Sequence, residues 1–147
     1  GGAREVGGGD GCPLLVEKLE RFRRSFAADA VTRWVVTNHG GEFFGYCGLV
    51  LQPGDDHPLG RHHEIGWRLR SEVWGQGFAP EAASAALADA FERVGCREVF
   101  AYTSPTNRRS QSVMHSLGLE RRVDLDFTRH YDDVGQWQAM VWSTTST

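Results

Sequence analysis

The sequence predicts an α/β fold of the α+β kind, one mixed sheet with helices packed on it. Three observations carry that prediction. Several stretches are rich in β-branched and aromatic residues, and the turn signal His39-Gly40-Gly41 joins two of them as an antiparallel hairpin. Three other stretches repeat apolar residues at helical spacing, and glycine closes two of these. After Pro13 the order is helix, hairpin, strand, helix, strand, helix and two strands, with no internal repeat and no linker that would divide the chain.

The first dozen residues, GGAREVGGGDGC, offer nothing to anchor a core and read as a tail, leaving 13–147 as a single domain. From Pro13, Leu15, Leu19, Phe22 and Phe26 recur on one helical face, with Glu17, Lys18, Arg21 and Arg24 on the rest. TRWVVTN and EFFGYCGLVL form the hairpin, QPGDDHPLGRHH a loop, and HEIGWRLR the next strand. A second helix follows, with Ala83, Leu87, Ala90, Phe91 and Val94 on one face and Gly95 as its stop. REVFAYTS is again a strand. NRRSQSVMHSLG is a short helix with Asn107 as N-cap, Val113, Met114 and Leu117 buried, and Gly118 as terminator. ERRVDLDFTRHY and QWQAMVWST are expected to close the sheet as two strands around an Asp132-Asp133-Val134-Gly135 turn.

Composition excludes several function classes. With 147 residues and 40% hydrophobic content, the chain suffices for one real core. Sixteen basic against nineteen acidic residues leave a net charge of −3, so nothing draws the chain as a whole to nucleic acid or an anionic membrane. Cys12, Cys47 and Cys96 are odd in number and far apart, which suggests neither a disulfide framework nor a metal site and fits a reducing, cytoplasmic setting. No apolar run approaches membrane-spanning length, and the N-terminus lacks the regions of a signal peptide.

The stretch VWGQGFAPEAA sets two glycines at the turn from a strand into a helix. First-turn amides there have no intrahelical partner, and the helix dipole favours negative charge, so bare glycines let a phosphate approach. Pro80 costs no hydrogen bond at that position. A Walker loop would need Lys-Ser or Lys-Thr where Phe78-Ala79 stands, and a dinucleotide fingerprint a small residue at Pro80. Neither spelling fits.

The segment EIGWRLRSEVWGQGFAPEAASAALADAFE, followed by REVFAYTSPTNRRSQSVMHSLGLE, closely resembles the GNAT superfamily of N-acetyltransferases, in particular its RimJ/RimL-type branch. The resemblance covers about Trp34 to Trp142. Trp74, Gly77 and Ala79 occupy the defining positions of the family's pyrophosphate loop, and the aromatic at Trp74 is the form usual in that branch. NRRSQSVMHSLG is similar to the second signature, Asn-x-x-Ser followed by an apolar helix. The resemblance implies a mostly antiparallel central sheet with helices on its faces. It also implies an opening strand and helix for which this chain offers only the glycine-rich tail, so that a homodimer contact at the sheet edge is compatible with it.

The implied activity is transfer of acetyl from acetyl-CoA to a primary amine, either a protein N-terminus or a small molecule, in a ternary complex without metal. An acyl-CoA-binding sensor without turnover, or an acyltransferase using another donor such as succinyl-CoA, are the alternatives. Cofactor contacts fall on Trp67, Arg68 and Leu69, on Trp74, Gly75, Gln76, Gly77, Phe78 and Ala79, and on Asn107 and Ser110. A backbone amide within Trp67 to Leu69 would serve the oxyanion. Glu64 is the candidate base, with His62 and His63 as loop histidines that titrate in the useful range. Ser110 and Tyr102 are the candidate acids for the leaving thiolate, against capping and sheet packing as their plainer roles. Arg108 and Arg109 stand near the nucleotide phosphates, with solvated charge as the default reading. Trp137 and Trp142 read as core packing.

Overall fold

A computed structural model of the chain describes residues 12–131 and 135–146; the expected tail lies outside them except for Cys12, as do the first three residues of the Asp132 turn. Helix α1 (Cys12–Asp29) leads into strands β1 (Arg33–Thr37), β2 (Phe43–Gln52) and β3 (His62–Leu69). A short 3-10 turn, Ser71–Val73, precedes α2 (Phe78–Asp89), then come β4 (Glu98–Thr103), α3 (Arg108–Ser116), β5 (Glu120–Arg121), β6 (Phe127–Tyr131) and β7 (Gly135–Thr145). The sheet order is β1-β2-β3-β4-β7-β5, with β6 also paired to β7. All pairings are antiparallel except β3 with β4.

The hairpin turns where the glycines place it. Gly41 N–H donates to the Asn38 carbonyl (3.0 Å) and Asn38 N–H to that of Glu42 (3.1 Å). From there β2 and β3 stay in register from Gly45↔Leu69 to Gln52↔His62. One face of this sheet is the core. Ala83, Ala86 and Leu87 of α2, with Ala90 just beyond it, pack on Cys47, Leu49, Ile65, Val99 and Ala101, and Met114 of α3 joins them. Small side chains on α2 let it lie close to the strands, which is why alanine recurs there. Past Asp89 the helix widens into a π turn over Ala90–Val94, and Gly95, at φ 78°, ends it. Among the described residues no helix is long and apolar enough to cross a membrane.

The opposite face is covered more thinly. Phe22 of α1 is buried and stands edge-on to Tyr46 at 5.2 Å, while Thr32 Oγ1–H donates to the Phe22 carbonyl at 2.6 Å. Phe26, expected on the buried face, is instead 41% exposed and rests edge-on against Trp34. The cause is position: β1 is an edge strand, so beyond Trp34 the Phe26 ring meets the Arg93 guanidinium, 5.5 Å from its centroid, and then solvent.

The chain from Glu120 to Tyr131 is not the single strand expected from its pattern. After two residues paired with Ser143 and Trp142, it turns through Val123–Leu125 and rejoins β7 lower down, from Phe127↔Ala139. A clasp at Asp126 causes the break. Its carboxylate accepts both terminal nitrogens of Arg121 (2.5 and 2.6 Å) and the Val141 N–H (2.9 Å). A two-pronged charged contact of this kind outweighs one further ladder bond.

Arg121 first, and then the Val141 N–H, hold the Asp126 carboxyl below its usual range. A depressed carboxylate stabilises the fold above the unfolded value and loses that contribution as pH falls through the folded one. Asp126→Asn should lower unfolding stability by about 1 kcal/mol at neutral pH. In urea titrations the gap between the two proteins should close as pH falls below about 4.

Candidate active site

Two parallel strands that part create the cleft. β3 and β4 share only His63↔Val99 and Glu64↔Phe100, so Ile65 to Leu69 run on without a partner on that side. Side chains alternate along this free stretch: Trp67 packs toward the core, Arg68 is exposed, and Leu69 is buried against Phe44 and Val73. Its continuous feature is therefore the backbone. Buried peptide groups otherwise require partners, and an unpaired strand edge inside a cleft is a ready row of donors and acceptors.

The glycine loop sits at the mouth of this cleft. Gly75 and Gly77 have φ of 77° and 85°, which costs a side-chain-bearing residue strain but glycine none. Gly77 is the N-cap of α2, no side chain caps the helix there, and a Cβ at Gly77 would meet nothing within 4 Å. The helix end is bare and open. Trp74, 46% exposed, donates Nε1–H to the Leu69 carbonyl at 2.8 Å, tying the loop to the end of β3. The Arg109 guanidinium lies 4.2 Å above the Trp74 ring, so the start of α3 leans across to the loop. Phe78 packs on Phe44 at 4.9 Å, with Ala79 beside it, and Gln76 donates to the Glu72 carbonyl at 3.2 Å. Asn107 caps α3 as expected: its Oδ1 accepts from Ser110 N–H at 3.1 Å. Ser110 stands half-buried in the first turn, while Arg108 is exposed.

Glu64 occupies the fork itself, as the last β3 residue to pair with β4. Its Oε1 accepts from Gln52 Nε2 (2.9 Å) and from the Tyr102 hydroxyl (2.8 Å), and its Oε2 faces Arg33 Nη2 at 3.3 Å. Arg33 reaches it across two strands because Arg33, Gly48 and Gly66 lie in one register row. A Cβ on Gly66 would come within 2.6 Å of Arg33 Nη2, so the bare glycine is the bed in which the guanidinium lies. The pair is mostly buried, with side-chain exposures of 21% and 14%. Such a pair must have its remaining valences met, which is what Gln52 and Tyr102 do for the carboxylate.

Tyr102 thus belongs to the Glu64 cluster. Burial first, and then the Glu64 charge, push its phenol well above the ordinary tyrosine range, so it acts as a donor. His57 Nε2 lies 3.2 Å and His62 Nε2 3.4 Å from the same hydroxyl. His62 is buried, whereas His63 alternates to the other face of β3, away from Glu64. Phe127 and Trp137 extend the wall, their rings 5.3 and 6.4 Å from Tyr102. Trp142 is in the core as expected, but Trp137 lines this open face. The Cys47 thiol, buried behind β2, is pushed up to about 12 by burial, which removes it as a nucleophile. Sequence reasoning missed Arg33, Gln52 and His57. Nothing in their spacing marks them: strand register brings Arg33 and Gln52 to Glu64, and the β2–β3 loop carries His57 to Tyr102.

The sequence matches the model of the Acetyltransferase (GNAT) domain over residues 12–120. It is 37% identical over 82 residues to the FsC-acetyl coenzyme A-N(2)-transacetylase of Aspergillus fumigatus, covering 54% of this chain and 35% of that protein. The chain spans no more than about half the length of the curated relatives it matches. Among solved structures, an acetyltransferase from Agrobacterium tumefaciens superposes with a TM-score of 0.70 at 23% identity, covering 91% of this chain and 72% of that one. The ribosomal-protein-S5-alanine acetyltransferase of Vibrio fischeri also gives 0.70, at 17% identity, with 88% and 69% covered. The forked sheet, the bare helix end beside it and the match across most of its length place this chain in the GNAT acetyltransferase family.

Proposed function

We propose that this chain is the catalytic portion of an N-acetyltransferase of the RimJ/RimL type, which moves an acetyl group from acetyl-CoA to a primary amine. The observation that carries this reading is the fork: Glu64 sits at its apex, unpaired β3 backbone lines one wall, and the uncapped end of α2 stands at its mouth. The open left-handed position at Gly77 fits a pyrophosphate, because the amides that follow it have no competing cap and no Cβ stands in the way. Acetyl-CoA supplies the acyl group as a thioester.

The chain's own residues supply the rest. Glu64 takes a proton from the acceptor ammonium, directly or through a water, and frees the amine's lone pair to attack the thioester carbonyl carbon. Backbone N–H groups within Trp67 to Leu69 meet the negative charge that grows on the carbonyl oxygen as the new C–N bond forms. The C–S bond breaks, and the Ser110 hydroxyl, in the first turn of α3, gives its proton to sulfur and is reprotonated by the one that the acylated nitrogen sheds. Tyr102, a thiolate acid in the sequence reading, serves here as a donor to the base. The acceptor is a protein N-terminus or a small amine, in keeping with relatives named for an alanine acetyltransferase and an N(2)-transacetylase.

Free thiol release from acetyl-CoA, followed across a panel of peptide and alkyl amines, tests the reading. Amine-dependent release supports it; tight CoA binding with no release from any amine would turn the chain into an acyl-CoA-binding module. Glu64→Gln should lower kcat by roughly a hundredfold or more while CoA affinity stays within a factor of about two. Gly77→Val should weaken CoA binding at least about tenfold, through lost access and left-handed strain, while the circular dichroism of the fold persists.

A further inference from the structure

His57 lies in the loop between β2 and β3, in no regular element, yet both of its ring nitrogens are committed. Leu59 N–H donates to Nδ1 at 3.1 Å, so the neutral ring carries its proton on Nε2. That Nε2–H points at the Tyr102 oxygen, 3.2 Å away. Tyr102 has one hydroxyl proton, and it is given to Glu64 Oε1 at 2.8 Å, so the phenol oxygen receives from His57. His62 is the more distant neighbour: its Nδ1 donates to the Gly60 carbonyl at 2.7 Å, and its Nε2 stands 3.4 Å from the Tyr102 oxygen, farther than His57 Nε2 and Glu64 Oε1. The result is a one-way chain of donors from Leu59 N–H through His57 and Tyr102 to the carboxylate.

Ring packing keeps this arrangement in place. The His57 ring stands 4.6 Å from His62, 5.1 Å from Phe127 and 5.6 Å from Tyr102. Burial, the His62 ring and the Arg129 guanidinium push the His57 imidazolium below its ordinary range, against smaller opposing pulls from Glu64 and Asp56. The ring is neutral at neutral pH, so Nδ1 stays free to hold Leu59 and Nε2 keeps its proton for Tyr102.

The chain of donors distinguishes the two carboxylate oxygens. Oε1 receives two donors, Gln52 and Tyr102, which fill its lone pairs, whereas among the described residues Oε2 faces Arg33 alone, at 3.3 Å. We propose that His57 is a positioning residue for acyl transfer: by holding the Tyr102 proton on Oε1 of Glu64, it reserves Oε2 as the atom that takes the acceptor ammonium's proton. The proton balance is simple, since the ammonium becomes an amine, Oε2 becomes O–H, and neither His57 nor Tyr102 changes its own proton count. This rests on the reading of Glu64 as the base.

Steady-state thiol release with acetyl-CoA, using an alanyl peptide with a free N-terminus and butylamine as acceptors, tests it on the full chain. His57→Ala should lower kcat about tenfold with KM for acetyl-CoA unchanged, the split expected of a lost chemical-step contact. His57→Gln, which keeps a side-chain N–H and an acceptor, should recover kcat to within about twofold. Tyr102→Phe should lose about as much as His57→Ala, and the double variant no more than Tyr102→Phe alone, because one chain is broken in either case. Full activity in His57→Ala, or losses that multiply in the double variant, would overturn the proposal. Should His57→Ala fail to fold, a His57→Gln protein as impaired as Tyr102→Phe overturns it and one with recovered kcat supports it. Glu64→Gln tells the two failures apart: if it abolishes turnover while His57→Ala is fully active, only the positioning role falls. Full turnover in Glu64→Gln, or none in the wild-type chain, removes the base and the positioning role together.

Discussion

Parallel strands β3 and β4 exchange only two register pairs before they diverge, and each part of the candidate site follows from that separation. A parallel pair needs a crossover, here α2 with its π turn, and the crossover packs on the core face of the strands it joins. The helix must begin where β3 ends. Its uncapped N-terminus is thereby delivered to the open end of the fork, next to backbone that has lost its neighbour. One divergence brings together an open helix N-terminus, a row of peptide groups and a carboxylate at the apex.

Placing a carboxylate at that apex carries its own cost. Glu64 and Arg33 are both largely removed from water, and a buried pair is stabilising only where further hydrogen bonds complete it. Gln52 and Tyr102 do so for Glu64, while Gly66 clears the path along which the arginine lies. Gly66 thus has a role different from the loop glycines. Gly75 and Gly77 serve through backbone freedom at positive φ, whereas Gly66 serves by the absence of a side chain.

Much of the fold was legible because its signals are local. The hairpin, the terminators Gly95 and Gly118 and the Asn107 cap each depend on residues within a few positions, and each is where the sequence places it. Failures occurred where distant partners intervene. The pattern of residues 120–131 reads as one strand, but Asp126 accepts from Val141, fifteen residues away, and the strand breaks there. Phe26 fits an apolar helical face, yet the edge strand beneath it leaves that end of the helix half open. Trp137 is half-buried, as its alternation suggests, yet its partners are the Phe127 and Tyr102 rings rather than the main core.

By itself the sequence determined the family and the shape of the glycine loop. Both are written in contiguous stretches whose backbone requirements, left-handed glycines and an uncapped helix start, are properties of neighbouring residues. Only the tertiary structure decided what surrounds Glu64. His57 and Tyr102 are forty-five positions apart, Tyr102 and Glu64 thirty-eight, and Arg33 arrives from an edge strand two removed. Arg33, Glu64 and Tyr102 meet because strand register converts distant positions into neighbours, and the β2–β3 loop folds His57 onto them; register is set by pairing across the whole sheet rather than by any one stretch.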